Sequence, residues 1–170
     1  FELQINDPET FEPIIDRKTL MSIGVGLRSA IAEKIGVGEN EIGVISESYR
    51  DSSDRSLASI FIYDTASQGA GFSSRIPEFL PLLLSEVLES FQNCPSRCES
   101  SCHGCLLDFT TQHYIEFLDR FAGIRVLDHP HYKAMQTPPT ELQIFGPATT
   151  YEGLSFEQLT NAVLKPDDRA

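Results

Sequence analysis

The sequence predicts an α+β fold: a small antiparallel or mixed sheet packed on helices, with a four-cysteine zinc knot between two of those helices. Three observations carry that expectation. Residues 16–35 keep an apolar stripe at helical spacing, residues 41–49 and 57–64 read as two strands, and all 4 cysteines fall between Cys94 and Cys105. The chain has 170 residues, enough for one ordinary domain with a short appendage. A chain of this size buries about 70% of its unfolded surface, so a packed core needs no disulfide scaffold.

Taken in order, residues 1–16 are acidic and without a clear period, and read as a lead-in segment. From Asp16, the positions Leu20, Ile23, Leu27, Ile31 and Ile35 recur at steps of three and four. That is an amphipathic helix, with Asp16 at its N-cap and Gly36 at its stop. Gly24 and Gly26 each weaken it by ~1 kcal/mol unless something packs closely there. The segments EIGVISESY and LASIFIYD read as strands around the polar turn RDSSDRS. The second is nearly all apolar, which places it centrally in its sheet.

A loop of small residues, Asp64 to Gly71, joins that strand to the next helix. Such a loop could cradle phosphate at a helix N-terminus. It has neither the Rossmann glycine spacing nor a P-loop lysine, so a tight turn through Gly69 and Gly71 is the plainer reading. Residues 73–93 form a helix with a broad apolar face that includes Ile76, Leu83, Leu84, Val87 and Phe91. Pro77 suits its first turn, and Pro81 is expected to kink or restart it. This helix delivers the chain directly into the cysteines. A second helix is expected over 110–122, with Tyr114, Phe117, Leu118 and Phe121 on one face. The domain proper then spans 17–127. Residues 128–170 read as a Pro-containing linker, a short strand at LQIF, and a small helix opened by the capping box Ser155 to Gln158.

The cysteine segment reads NCPSRCESSCHGCLLD, a C-x3-C-x3-C-x2-C array. Spacers of two to four residues form the tight turns that bring thiolates onto one metal, and Ser96, Ser100, Ser101 and Gly104 suit those turns. Disulfides fit poorly, because any pairing here closes only a short loop. Zinc bound by Cys94, Cys98, Cys102 and Cys105 is the default, a closed site with no position left for substrate. A four-iron cluster also takes four cysteines. Cys98, Cys102 and Cys105 even keep a radical-SAM spacing, but Cys94 would close that site and too few residues follow to build a barrel. His103 lies inside the array and is expected to point outward. His113, His129 and His131 show no metal spacing.

Acidic residues number 25 against 13 basic ones, a formal charge of -12. Such a surface opposes a bulk grip on nucleic acid or an anionic membrane. No run approaches the ~18 apolar residues of a membrane span. Phe1 opens an acidic stretch without a basic region, so the reading expects no secretory leader, a cytoplasmic, reducing compartment, and an excerpt from a longer polypeptide. A local patch of Arg97, Arg120, Arg125 and Lys133 could still touch a phosphate, although ordinary surface charge explains those residues as well.

A strand ending Ile62-Tyr63-Asp64, a glycine loop, a long apolar helix, four close cysteines ending C-x2-C-L, and a following Leu118-Asp119-Arg120 form one ordered set. That set resembles the MZB domain, a zinc-binding module of certain superfamily 2 DNA helicases and of DrmB-type components of the DISARM antiphage system. The resemblance covers roughly residues 17–127. It departs from the family in having Gln68 before Gly69, where adjacent glycines are usual, and in looser cysteine spacing. It implies a zinc module without catalytic residues, held by the four cysteines, that serves a helicase or another protein subunit through docking or DNA positioning. Two other readings stay open: a phosphate-ester enzyme using Asp64 with the Gly69/Gly71 loop, and an iron–sulfur redox module.

Overall fold

In the computed structural model, which describes residues 1–66 and 69–135, the elements run β1 (Glu2–Leu3), α1 (Arg17–Ile35), β2 (Ile42–Arg50), β3 (Ser56–Asp64), α2 (Ile76–Gln92), α3 (Arg120–Leu127) and α4 (Pro130–Met135). Single 3-10 turns precede β2 and α2, and a longer one covers Gln112–Phe117.

The helix α1 is the central beam. The Asp16 carboxylate accepts from the Thr19 amide at 2.9 Å and its hydroxyl at 2.7 Å, filling donors that a helix start leaves unpaired. Gly36 ends it at φ 74°, a left-handed stop that glycine takes without strain. Every residue from Thr19 to Arg28 is buried, because α1 has neighbours on two sides. A Cβ on Gly24 would lie 2.8 Å from both Ile60 and Val44 of the sheet, and one on Gly26 would lie 2.7 Å from Val87 of α2. The two glycines that weaken the isolated helix are where the sheet and α2 come closest.

The sheet has three strands in the order β1-β3-β2, with β3 central as its composition predicts. β2 and β3 form an antiparallel hairpin in register from Ile42 opposite Asp64 to Arg50 opposite Ser56. Alternation sends Ile42, Val44, Ile60 and Ile62 against α1. The lead-in segment does more than its composition suggests. The Phe1 amino group donates to the Ile62 carbonyl at 2.9 Å, and Ile62 returns the bond to Phe1. This makes β1 the second neighbour of β3, and Ile5 is buried behind it.

α2 runs unbroken through Pro81, where the sequence predicts a kink or restart. The carbonyl that Pro81 leaves without a partner is that of Pro77, in the exposed first turn, where water can satisfy it. The single helix expected over 110–122 is also corrected. The 3-10 turn ends at Leu118, which turns extended (φ -114°, ψ 114°) and is buried, and Asp119 then caps a new helix by accepting from the Phe121 amide at 2.9 Å. Residues 130–135, which read as linker, form α4. Its buried Tyr132 hydroxyl donates to the Asn6 carbonyl at 2.7 Å and accepts from the Asn6 amide at 3.2 Å. The expected strand at LQIF and the helix after Ser155 lie outside the described residues. No helix among the described residues is long and apolar enough to cross a membrane.

Candidate metal centre

Phe91, three residues before Cys94, is fully buried and sets where the cysteine loop begins. Its ring lies 3.0 Å from where a Cβ on Gly26 of α1 would sit, and 2.5 Å from where one on Gly123 of α3 would sit. Larger residues at either glycine would push α2 away. Three helices therefore close on one aromatic ring, and the chain leaves α2 into the loop from a fixed point.

Between α2 and the 3-10 turn at Gln112 the backbone has no regular element, and its polar groups are met locally. Cys94 accepts from the Arg97 amide at 2.9 Å, and the amides of Cys105, Leu106 and Leu107 all converge on the Cys102 carbonyl at 3.0 Å. Arg97 takes φ 45° in the first of these turns. The two turns aim four sulfurs inward, as the spacing predicts. The Sγ–Sγ separations are 3.8 Å for Cys94–Cys98, 3.5 Å for Cys94–Cys102, 3.6 Å for Cys98–Cys105 and 3.8 Å for Cys102–Cys105. All four sulfurs lie within 4.8 Å of one another.

Tetrahedral bonds of about 2.3 Å from zinc to sulfur give edges of about 3.8 Å, so the arrangement fits Zn2+. A four-iron cluster places a cube of iron and sulfide between its thiolates and would hold them farther apart. The donor chemistry agrees. Burial raises Cys94, but the amides of Cys98 and Ser96 and the Cys102 thiol outweigh it and bring its pKa to about 6. Burial pushes Cys98 and Cys105 up, and the adjacent thiols add to it. One thiolate forms readily, while these neighbours resist ionising beside it; a divalent cation lets them ionise together. The Gly104 amide points at the Cys102 sulfur, 3.3 Å away. His103 is exposed and its Nδ1 faces the Leu107 carbonyl at 3.1 Å, so it turns away from the sulfurs as expected.

Two buried arginines flank this loop, and the sequence reading missed the role of both. Arg28 of α1, 3% exposed, pairs with Asp108 and with Glu39 at 3.2 Å, and donates to the Thr110 hydroxyl at 2.7 Å. Asp108 also accepts from the amides of Thr110 and Thr111. Burial works against its charge, but the Thr110 and Thr111 bonds and the Arg28 guanidinium hold its carboxyl well below the usual range. Arg120, 7% exposed, donates to the Cys98 carbonyl at 2.9 and 2.8 Å and to the Phe91 carbonyl at 2.7 Å.

That burial takes Arg120 out of the proposed phosphate patch. Arg120 is spent inside the fold, and Lys133 is held by Asp128 at 2.7 Å. Arg97 and Arg125 are exposed, and the four residues form no bonded cluster. The glycine loop is likewise used internally. The Asp64 carboxylate accepts from the amides of Gly71 at 2.5 Å, Phe72 at 3.2 Å and Ser73 at 2.8 Å, the donors that a phosphate would need. Asp64 is the cap of the α2 approach.

The family model for the MrfA Zn-binding domain (MZB) matches residues 24–106, which hold α1 from Gly24 onward, the hairpin, α2 and all four cysteines. Among curated proteins, the Druantia protein DruE of Escherichia coli is 34% identical over 79 residues, 46% of this chain, and the chain covers 4% of that protein's length. An uncharacterized protein of Methanocaldococcus jannaschii is 32% identical over 93 residues, 54% of this chain and 81% of that protein. No solved structure matches at a significant level.

Proposed function

The chain belongs to the MrfA Zn-binding domain family, and on that premise we propose that it is a structural zinc module, without catalysis of its own, in a DNA-processing or antiphage-defence machine. The observation that carries this reading is the four-sulfur cluster, with four of its six separations at 3.5–3.8 Å and all six within 4.8 Å. Cys94, Cys98, Cys102 and Cys105 are its zinc ligands. Bound zinc supplies a fixed, redox-inert cross-link, and four protein ligands leave no open position for substrate. The chain's own residues do the rest. The loop amides turn the sulfurs inward, and the two arginines tie the loop to α1 and α2.

The defence context draws on the likeness to the Druantia protein, and the helicase context on the resemblance carried by the cysteine and Leu118-Asp119-Arg120 motifs. The chain covers 4% of the Druantia protein's length, and reduced cysteines that hold a metal fit a cytoplasmic setting. Docking to a helicase or another protein subunit is favoured over independent DNA binding. The formal charge is -12, and two of the four candidate cations are already engaged.

Elemental analysis and native mass spectrometry of residues 1–170 should find one zinc per chain, lost on Cys102→Ser. Titration with labelled single- and double-stranded DNA at near-physiological salt should show weak binding. Each phosphate contact on duplex DNA adds about -0.9 to the slope of log affinity against log salt. Sub-micromolar binding with a steep slope, lost on replacing Arg97 and Arg125, would overturn the docking preference. ATP or DNA turnover abolished by Asp64→Ala would overturn the non-catalytic role.

A further inference from the structure

We propose that Arg120 is the counter-ion of the metal centre, a positioning residue that both holds the loop backbone and balances the charge of the four-thiolate complex. The inference rests on the reading of the four cysteines as zinc ligands. Its starting point is a buried cation with no anion beside it. Among the described residues, Arg120 is 7% exposed and no carboxylate pairs with it. Arg28, the other buried arginine, has two carboxylates. Carbonyls satisfy the donors of a guanidinium but leave its charge uncompensated, and an isolated buried charge is unfavourable.

The missing anion is next door. Zn2+ on four thiolates carries a net charge of minus two. The Arg120 guanidinium bonds twice to the carbonyl of Cys98, itself a ligand, and once to Phe91, at the end of the helix that leads to Cys94. Its own amide bonds the Ser100 carbonyl at 2.9 Å, and the Ser100 hydroxyl returns to the Leu118 carbonyl at 2.8 Å. The Phe121 ring covers the guanidinium at 4.0 Å and keeps water from screening it. Outer-shell groups of this kind tune ligand orientation and metal affinity.

The test compares the 170-residue wild type with Arg120→Gln, Arg120→Lys and Ser100→Ala. Zinc affinity is read by competition with a chromophoric chelator, and site geometry by the sulfur-to-cobalt charge-transfer band after Co2+ loading. Arg120→Gln should lose about 10- to 100-fold in zinc affinity, the range of outer-shell substitutions, with a shifted charge-transfer band. Arg120→Lys restores charge without the fork and should recover most of that loss. Ser100→Ala removes a stitch but no charge and should stay well short of about 10-fold, the lower end of outer-shell losses. Glutamine equal to wild type, lysine as weak as glutamine, or Ser100→Ala as weak as either would overturn the counter-ion role. If Arg120→Gln fails to fold with saturating zinc, lysine carries the test alone, and a loss above about tenfold counts against the proposal. A wild type that takes up no cobalt would instead overturn the zinc reading beneath it.

Discussion

The two buried arginines hold opposite ends of the same irregular loop by different means. Arg28 fixes the exit side with carboxylates from outside the metal site, Asp108 and Glu39. Arg120 fixes the approach side through carbonyls alone. The Arg28 corner is complete from carboxylates of the chain, whereas the Arg120 corner meets its fullest opposing charge, a net minus two, only when the four thiolates hold zinc. The difference teaches which half of the loop depends on the metal. The approach from Cys94 to Cys102 should loosen on metal loss, while the Leu106–Thr111 corner keeps its ion pair and its Thr111-to-Leu106 bond at 2.9 Å.

The largest expected effect therefore comes from removing zinc, by chelation or by Cys102→Ser. Structural zinc is worth about 10–16 kcal/mol in small zinc peptides, as much as a whole domain's stability of about 5–15 kcal/mol. The melt should lose much of its cooperativity. Hydrogen exchange should accelerate over 94–102 well before it does at β3, and equal acceleration at 106–111 would break the comparison.

Next in size is Asp108→Asn, which leaves Arg28 with Glu39 only. Breaking a fully buried pair costs about 3–5 kcal/mol, but Asp108 is 28% exposed, so denaturant melts should show a loss of roughly 2 kcal/mol. The pH dependence follows from the lowered carboxyl. The Asp108 contribution is fully present above its unfolded value near 3.8 and is lost as pH falls from there toward its depressed folded value. Asp108→Asn should flatten that acid limb relative to wild type, and an unchanged limb would contradict the pairing.

Gly26→Ala should cost roughly 1–2 kcal/mol. Overpacking against Val87 and Phe91 costs about 1–3 kcal/mol, and a gain of up to ~1 kcal/mol in helix propensity offsets part of it. Because Phe91 carries the Arg120 contact, this variant should also weaken zinc binding measurably. Smallest is Asp64→Ala, with the loss of a cap, about 1 kcal/mol, and no change in zinc affinity. A zinc effect there would mean that the glycine loop and the metal site are linked.

Much of this architecture is legible in the residues themselves. The period of α1, its Asp16 and Gly36 boundaries, the hairpin and the central place of β3 follow from patterns that local physics reads directly. The four-sulfur cluster follows from spacing alone. What the sequence hides depends on partners far along the chain. Gly24 and Gly26 read as weaknesses until Ile60 and Val87 are seen against them. Residues 1–3 have no strand signature, because two residues bonded to β3 need no period of their own. The helix break at Leu118 is set by burial and by the Asp119 cap, which competes with a continuous apolar stripe. Arg28 and Arg120 look like surface cations, since a single residue type cannot announce that carboxylates or carbonyls from elsewhere will enclose it. The Asp108-x-Thr110-Thr111 cluster was the one local sign that a charged anchor lay just after the cysteines.

X-ray absorption at the zinc edge of the purified 170-residue chain tests the central claim most directly, because it reads ligand type and distance together. Four sulfurs at about 2.3 Å and no lighter ligand is the result expected of Cys94, Cys98, Cys102 and Cys105. A shell containing nitrogen or oxygen, or an iron edge in place of zinc, would contradict it.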